Sequence, residues 1–285
     1  MNPRFNDTST IHKPLAIFIP QFDSHVQAAV LCCRKHELRL RIRSGGHDFE
    51  GLSYLSVSPS NDDFVMIDLT KLRAGATLGE LYYAISQKSR YFLGSESVET
   101  LLRRTGEPAR KVKSKSDFVQ EPLPEDAVDG IWRILAEVGP EEGVLQLEAH
   151  GGKMSEVPEF SIPYPHRAGN VYMIQYYAYW DGNGVETEER HLDWIRRLEG
   201  YLAPFVSQGP RGAYVNARDL DLGMNGDAAA GRAWSCEQGS DWGRRYYKGN
   251  FERLVRVKTD VDPANFFRNE QSIPPFFLGS RHVGE

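Results

Sequence analysis

Apolar and polar positions follow two different periods along the chain, and the switches between them mark its elements. Ala16-Ile17-Phe18-Ile19 is a short apolar run closed by Pro20, which reads as a strand. Val26, Ala29, Val30 and Cys33 form a helical stripe, and Ser24 with Gln27 has the spacing of a capping box. Leu38 to Arg43 alternates strictly, with three aliphatics on one face and three arginines on the other, and stops at Ser44-Gly45-Gly46. Phe64 to Leu69 is a near-continuous apolar strand. Thr77-Leu78-Gly79-Glu80 then opens a helix that carries Leu78, Leu81, Tyr82 and Ile85. Strands alternating with helices predict an α/β unit.

From about Gly94 to Glu125 the periodicity fades. Arg103, Arg104, Arg110, Lys111, Lys113 and Lys115 make a basic stretch that reads as a solvated loop or linker, with a phosphate or nucleic-acid site as the alternative. Pro124 starts a helix with the stripe Val128, Ile131, Trp132, Leu135 and Val138, and a strand follows over Val144 to Glu148. Tyr172 to Trp180 alternates again. Met173, Gln175, Tyr177 and Tyr179 share one face, and Tyr172, Ile174, Tyr176, Ala178 and Trp180 share the other. After the turn Asp181-Gly182-Asn183-Gly184, a helix carries His191, Trp194, Ile195, Leu198 and Leu202. Helix, strand, strand, helix predicts an antiparallel sheet with helices on one face, an α+β unit. The predicted fold class is α/β plus α+β.

Composition narrows the classes. The chain has 285 residues, 40% hydrophobic and 26% charged, an ordinary globular balance. A net charge of -5 argues against a nucleic-acid binder, which would carry a basic face. No apolar run reaches the ~18 residues of a membrane span. Residues 1–6 contain no apolar signal core. Cys32, Cys33 and Cys236 are an odd number without metal-ligand spacing, which argues against a disulfide framework and a structural zinc site.

The segment Arg41-Ile42-Arg43-Ser44-Gly45-Gly46-His47-Asp48-Phe49-Glu50-Gly51-Leu52-Ser53-Tyr54 holds the clearest chemistry. A strand ending in Gly-Gly lets successive backbone N–H groups meet a diphosphate without Cβ obstruction, although a plain tight turn has the same form. The whole string resembles the flavin-binding loop of the plant berberine bridge enzyme-like FAD-linked oxidases. That family belongs to the vanillyl-alcohol-oxidase type with a PCMH-type FAD domain. Further segments resemble it in the same order: Gly75 to Ile85, Gly151 to Glu156, Pro165 to Asn170, Tyr214 to Asp221 and Val261 to Pro275. The resemblance implies an N-terminal part of the FAD-binding domain over 1–93, a partial substrate domain over 94–210 and a C-terminal family segment over 211–285. It implies oxidation of a small-molecule alcohol, carbohydrate or related plant metabolite with FAD as cofactor. The FAD would rest on Arg43, Ser44, Gly45, Gly46, His47 and Asp48, with Ser53 and Asn216 assisting and His47 joined covalently to the flavin 8-methyl carbon. Gln175 and Tyr214 are the catalytic candidates. Members of the family are secreted, or reside in the cell wall or vacuole.

The chain also departs from the family pattern. Ser89-Arg90-Tyr91-Phe92 runs directly to Gly94-Ser95-Glu96, skipping the second glycine-rich flavin segment and its flavin-bonding cysteine. A smaller gap joins Leu72-Arg73 to Ala74-Gly75, and Ser235 to Asp241 reads as a short insertion. Ala217 stands where the family often has a tyrosine base, and Gln175 can orient a substrate but is no useful base. Cut edges with intact flanks suggest a truncated isoform from an alternative transcript, or an imperfect gene model. The chain is expected to attach flavin through His47 alone, to oxidise negligibly, and to fold poorly because faces such as Phe64 to Leu69 lose neighbours. The alternative expectation is a non-catalytic remnant or an interaction partner of a full-length member. The resemblance makes Cys32 a half-cystine, and a buried helix residue is the other reading. Asn6-Asp7-Thr8 is a glycosylation sequon.

Overall fold

The computed structural model describes residues 12–46, 48–56, 63–72, 110–139, 142–182, 184–225 and 236–276. The expected helix at Thr77, the cut at Ser89 to Glu96, the sequon, His47 and the Cys236 side chain lie outside the described residues.

The first unit is a parallel sheet of β1 (Ala16–Phe18), β2 (Arg39–Arg43) and β3 (Phe64–Asp68) in the order β1-β3-β2, with α1 (Asp23–Lys35) beside it. Central β3 pairs with both neighbours, for instance Ile17 and Arg41 with Met66. This corrects the expectation of exposed faces there: Phe64, Met66 and Ile67 are buried, and the apolar exposure falls on edge strand β1, at Ile17 and Phe18. Helix α1 lays Val26, Ala29, Val30 and Cys33 against Leu40 and Ile67, as its stripe predicts. Cys33 is the packed cysteine and Cys32 is exposed. The capping box does not form. The helix begins at Asp23 behind Phe22, which offers no side-chain cap, and Ser24 lies inside the first turn.

Strand β2 keeps its alternation, but its arginine face is not solvated throughout. Arg41 is buried because its guanidinium meets Glu270 with both terminal nitrogens, at 3.1 and 2.9 Å, and also reaches Ser56 and the Leu52 and Leu55 carbonyls. Planar fork geometry suits arginine to such a buried site. The contact ties the parallel sheet to the C-terminal segment across 229 residues of sequence.

The second unit is an antiparallel sheet of β4 (Lys111–Val119), β5 (Gly143–Ala149) and β6 (Tyr172–Trp180) in the order β4-β6-β5. Helices α2 (Glu125–Leu135) and α3 (Val185–Leu202) cover one face. There Ile174, Tyr176, Ala178 and Trp180 pack on Ile131, Trp194, Ile195, Leu198 and Leu202. On α2, Ala127 and Ile131 face the core, whereas Trp132, given to the stripe by sequence, is 65% exposed. The axis turns so that Gly130 receives the Tyr201 ring; a Cβ at Gly130 would lie 1.9 Å from the Tyr201 hydroxyl.

The lysine end of the basic stretch read as a loop is instead β4, buried along its whole length, and Arg103 and Arg104 lie outside the described residues. Lysines 111, 113 and 115 fall on the helix-facing side, where each ammonium finds carboxylates. Lys111 meets Glu188, Lys113 meets Glu50 and Asp219, and Lys115 meets Glu199, Asp219 and Asp221. Buried charge survives only when paired and hydrogen-bonded in this way. The chain closes with α4 (Cys236–Tyr247) and α5 (Asn250–Val261), packed through Trp242, Tyr246, Phe251 and Val255. Of the stretch read as an insertion, Cys236 to Asp241 form the first turns of α4, and Ser235 lies outside the described residues.

Candidate functional site

Two groups of residues converge from the two sheets. The first lies at the carboxyl end of β2, the end at which open parallel sheets hold ligands. Arg43 pairs with Asp68 at the same end of β3, and its guanidinium stands 5.8 Å from the Tyr54 ring centre. Ser44 and Gly45 are exposed. Gly46 is buried at φ 71, a left-handed conformation that glycine adopts without strain. Asp48 accepts from the Glu50 backbone N–H at 3.0 Å and meets Arg218 at 3.5 Å.

Asp48 and Ser53 border a cleft of about 340 Å³ that is closed on its other side by Arg218, Arg268 and Ser272. The Ser53 hydroxyl is buried and has no hydrogen-bond partner among the described residues. Burial outweighs Asp262 and lowers the pKa of the Arg268 guanidinium, the mark of a cation short of counter-charge. A glycine with positive φ, an unsatisfied hydroxyl and two guanidinium groups fit the diphosphate of FAD.

The second group is the face of the antiparallel sheet opposite its helices. Register places Ser116 and Gln146 on either side of Gln175, so all three share that face. Gln175 donates to Glu148 Oε1 at 2.7 Å and accepts from the Tyr177 hydroxyl at 2.8 Å. Gln146 donates to the same Glu148 oxygen at 2.7 Å. Tyr214 arrives from the C-terminal segment, its backbone N–H donating to the Ser116 hydroxyl at 2.8 Å. Asn216 donates to the Tyr214 hydroxyl at 2.8 Å. Beside them, His150 and the Tyr164 hydroxyl are 3.0 Å apart, and the Tyr164 and Tyr214 rings meet edge to face at 6.1 Å. Burial pushes the Tyr164 phenol up to about 12, with Tyr214 adding to the rise, so it stays protonated at neutral pH.

The buried ion network fixes this arrangement. Lys113 and Lys115 bracket Asp219, three residues after Asn216. Burial acts to lower the Lys113 pKa, but Glu50, Asp219 and Asp221 together overcome it and raise the pKa, so the ammonium stays charged. Glu50 follows the glycine loop, so the network also anchors that loop: it accepts from Lys113 at 2.5 Å and from the Leu220 backbone N–H at 3.1 Å. Between them, Phe49 packs 5.6 Å from the Tyr177 ring. The loop and the polar sheet face are therefore neighbours.

Of the residues marked from sequence, Gln175, Tyr214 and Asn216 come together, and Arg43, Gly46, Asp48 and Ser53 gather at the β2 end. Asn216 is exposed, and its amide serves Tyr214. Ala217 is fully buried, so the side chain at that position faces packed protein. Sequence reasoning missed Glu148. Its signal is the alternation Val144, Gln146, Glu148, which puts two polar groups on one strand face. Among the described residues no cluster of His, Cys, Asp and Glu could hold a metal ion, and no helix is long and apolar enough to cross a membrane.

Comparisons with known proteins bear on the same regions. The family model "Berberine and berberine like" matches residues 213–274. Berberine bridge enzyme-like 18 of Arabidopsis thaliana is 48% identical over 184 residues, which span 65% of this chain and 33% of that protein, so this match covers a third of the relative's length. Monolignol oxidoreductase AtBBE-like 13, also from Arabidopsis thaliana, is 28% identical over 462 aligned positions, covering 92% of this chain and 84% of that protein. With 462 positions against 285 residues, at least 177 positions of the relative face no residue here. Among solved structures, Phl p 4, a grass pollen allergen with glucose dehydrogenase activity, superposes with a TM-score of 0.82 at 26% identity. The superposition covers 95% of this chain and 92% of that one.

Proposed function

We propose that this chain, which is similar to berberine bridge enzyme-like proteins and matches their family model over residues 213–274, is an FAD-linked oxidoreductase that oxidises an alcohol or carbohydrate hydroxyl. Bound flavin supplies the two-electron oxidant. The observation that carries this reading is the junction at Phe49 and Tyr177, where a loop suited to a diphosphate adjoins a sheet face lined with hydroxyl, amide and carboxylate groups. Arg43, Ser44, Gly45, Gly46, Asp48 and Ser53 hold the diphosphate end, and His47 forms the covalent bond to the flavin. Gln175 and Tyr214 orient the substrate, with Asn216 holding the Tyr214 hydroxyl. The aromatic rings of Phe49 and Tyr177 exclude water from one side of the site. The separate parallel unit, antiparallel sheet and C-terminal segment support a division into 1–93, 94–210 and 211–285. The monolignol oxidoreductase and glucose dehydrogenase names of two similar proteins support the choice of substrate class.

Turnover is impaired in this reading, because the family's second glycine-rich flavin segment has no counterpart and the cofactor is held from fewer sides. The test is anaerobic mixing of flavin-loaded protein with a panel of monolignols and aldoses. Slow bleaching of the flavin by one of them is the expected outcome, and no bleaching by any of them contradicts the proposed reaction. A second reading, a non-catalytic remnant or partner of a full-length relative, is favoured by the 177 or more unmatched positions. Protein that is colourless yet folded supports it.

A further inference from the structure

We propose that Glu148 is the proton acceptor for the substrate hydroxyl, held for that role by Gln175 and Gln146. The proposal rests on the oxidation assigned above and names the group that sequence reasoning found lacking. Glu148 Oε1 accepts from two amides, each at 2.7 Å, and among the described residues Oε2 has no hydrogen-bond partner. The Gln175 amide cannot turn over without cost, because its oxygen would then face a carboxylate that only accepts. The Tyr177 hydroxyl donates to the other end and secures the same orientation. Glu148 is half-buried and its neighbour Gln146 is exposed, so this part of the face is open to an entering molecule.

The other titratable groups on the face are otherwise occupied. The Tyr164 phenol is held protonated by burial. His150 has one ring nitrogen 3.1 Å from the Glu148 carbonyl oxygen and the other 3.0 Å from the Tyr164 hydroxyl. The carbonyl only accepts, so the first nitrogen donates, and in the neutral ring the second accepts from Tyr164. Tyr214 takes the Asn216 amide on its hydroxyl, and Tyr177 donates to Gln175. The step assigned to Glu148 is proton transfer alone. The substrate O–H bond breaks, its proton passes to Oε2, and its electron pair stays with oxygen to form the carbonyl. Bound flavin would supply the two-electron oxidant that takes the carbinol hydrogen with its electron pair.

The test needs no turnover. 4-Nitrophenol is yellow only when ionised, and a carboxylate beside its hydroxyl disfavours ionisation. Bound to the wild-type chain, it should ionise about one pH unit or more above its value in free solution. Glu148→Gln should abolish that shift, and Glu148→Asp, with its carboxylate withdrawn by one methylene, should reduce it. Melting curves of both variants establish that they fold. An equal shift in a folded Glu148→Gln protein overturns the proposal, and so does failure of the wild type to bind the probe. In flavin-loaded protein, Glu148→Gln should also slow bleaching by about 10²–10⁴-fold. The two readings separate cleanly, because loss of flavin from the purified chain contradicts the FAD assignment and leaves the nitrophenol titration readable.

Discussion

Gln175 and Glu148 meet at 2.7 Å across neighbouring strands, on the diagonal of the β5–β6 ladder, with the Tyr177 hydroxyl closing the other end of the amide. A buried amide engaged at both ends sets the positions of a tyrosine and a carboxylate at once. That is why the polar sheet face has a defined shape.

Replacing Gln175 by methionine keeps the volume and leaves Glu148 and Tyr177 each short of a partner. The expected loss is about 1–3 kcal/mol, read from urea unfolding. Gln175→Glu is more informative. Two adjacent carboxylates raise the folded-state pKa above the unfolded glutamate value of about 4.3, so stability is lost as pH rises through the folded value. The variant should melt closer to wild type at pH 4.5 than at pH 7.5. A gap that does not change with pH would show that the two carboxylates do not interact.

Lys115 is 1% exposed between Asp219, Glu199 and Asp221. Lys115→Met removes the most buried of the cations that these carboxylates share with Lys113, Arg196, Arg211 and Arg245, and should cost about 3 kcal/mol. Lys153→Met, on an exposed pair with Glu156, should stay within about 0.5 kcal/mol. Similar losses in the two variants would mean that the β4 lysines are not the buried charges described.

The reason β4 escaped the sequence reading lies in these same contacts. Lys113 and Lys115 find partners 63 and 104 residues away, at Glu50 and Asp219, so their alternation with valine, serine and phenylalanine has no local meaning. Tyr172 to Trp180 was legible because its partners are apolar and its period declares itself. The α3 stripe from His191 to Leu202 was legible for the same reason, and every member of it is buried. Local rules failed where tertiary contacts decided, as at the absent cap of Ser24 and the exposed Trp132. Within the site, Gln175 and Tyr214 were visible through resemblance. Glu148 was not, because its role depends on a strand partner 27 residues further on.

His166 lies flat against Phe118, ring centres 3.8 Å apart, with Nε2 3.1 Å from the Tyr246 carbonyl oxygen. Burial, aided by Lys248, lowers its pKa from 6.5 to about 3, so the folded protein holds it neutral. Between those two values the unfolded chain binds the proton that the folded chain refuses. Stability is therefore fully present above about pH 6.5 and falls as pH drops toward 3. His166→Phe keeps the stacked ring and removes the titration. The drop in melting temperature from pH 7 to pH 4.5 should be smaller in this variant than in wild type; an equal drop would place the acid sensitivity elsewhere.

The central claim is that this chain holds FAD at the loop from Arg43 to Ser53, and the most direct measurement is the absorption spectrum of the purified full chain, followed by acid precipitation. The account predicts a yellow protein whose flavin bands stay with the precipitate, and a flavin-bearing peptide that contains His47. A folded protein that remains colourless after purification and incubation with FAD would contradict it.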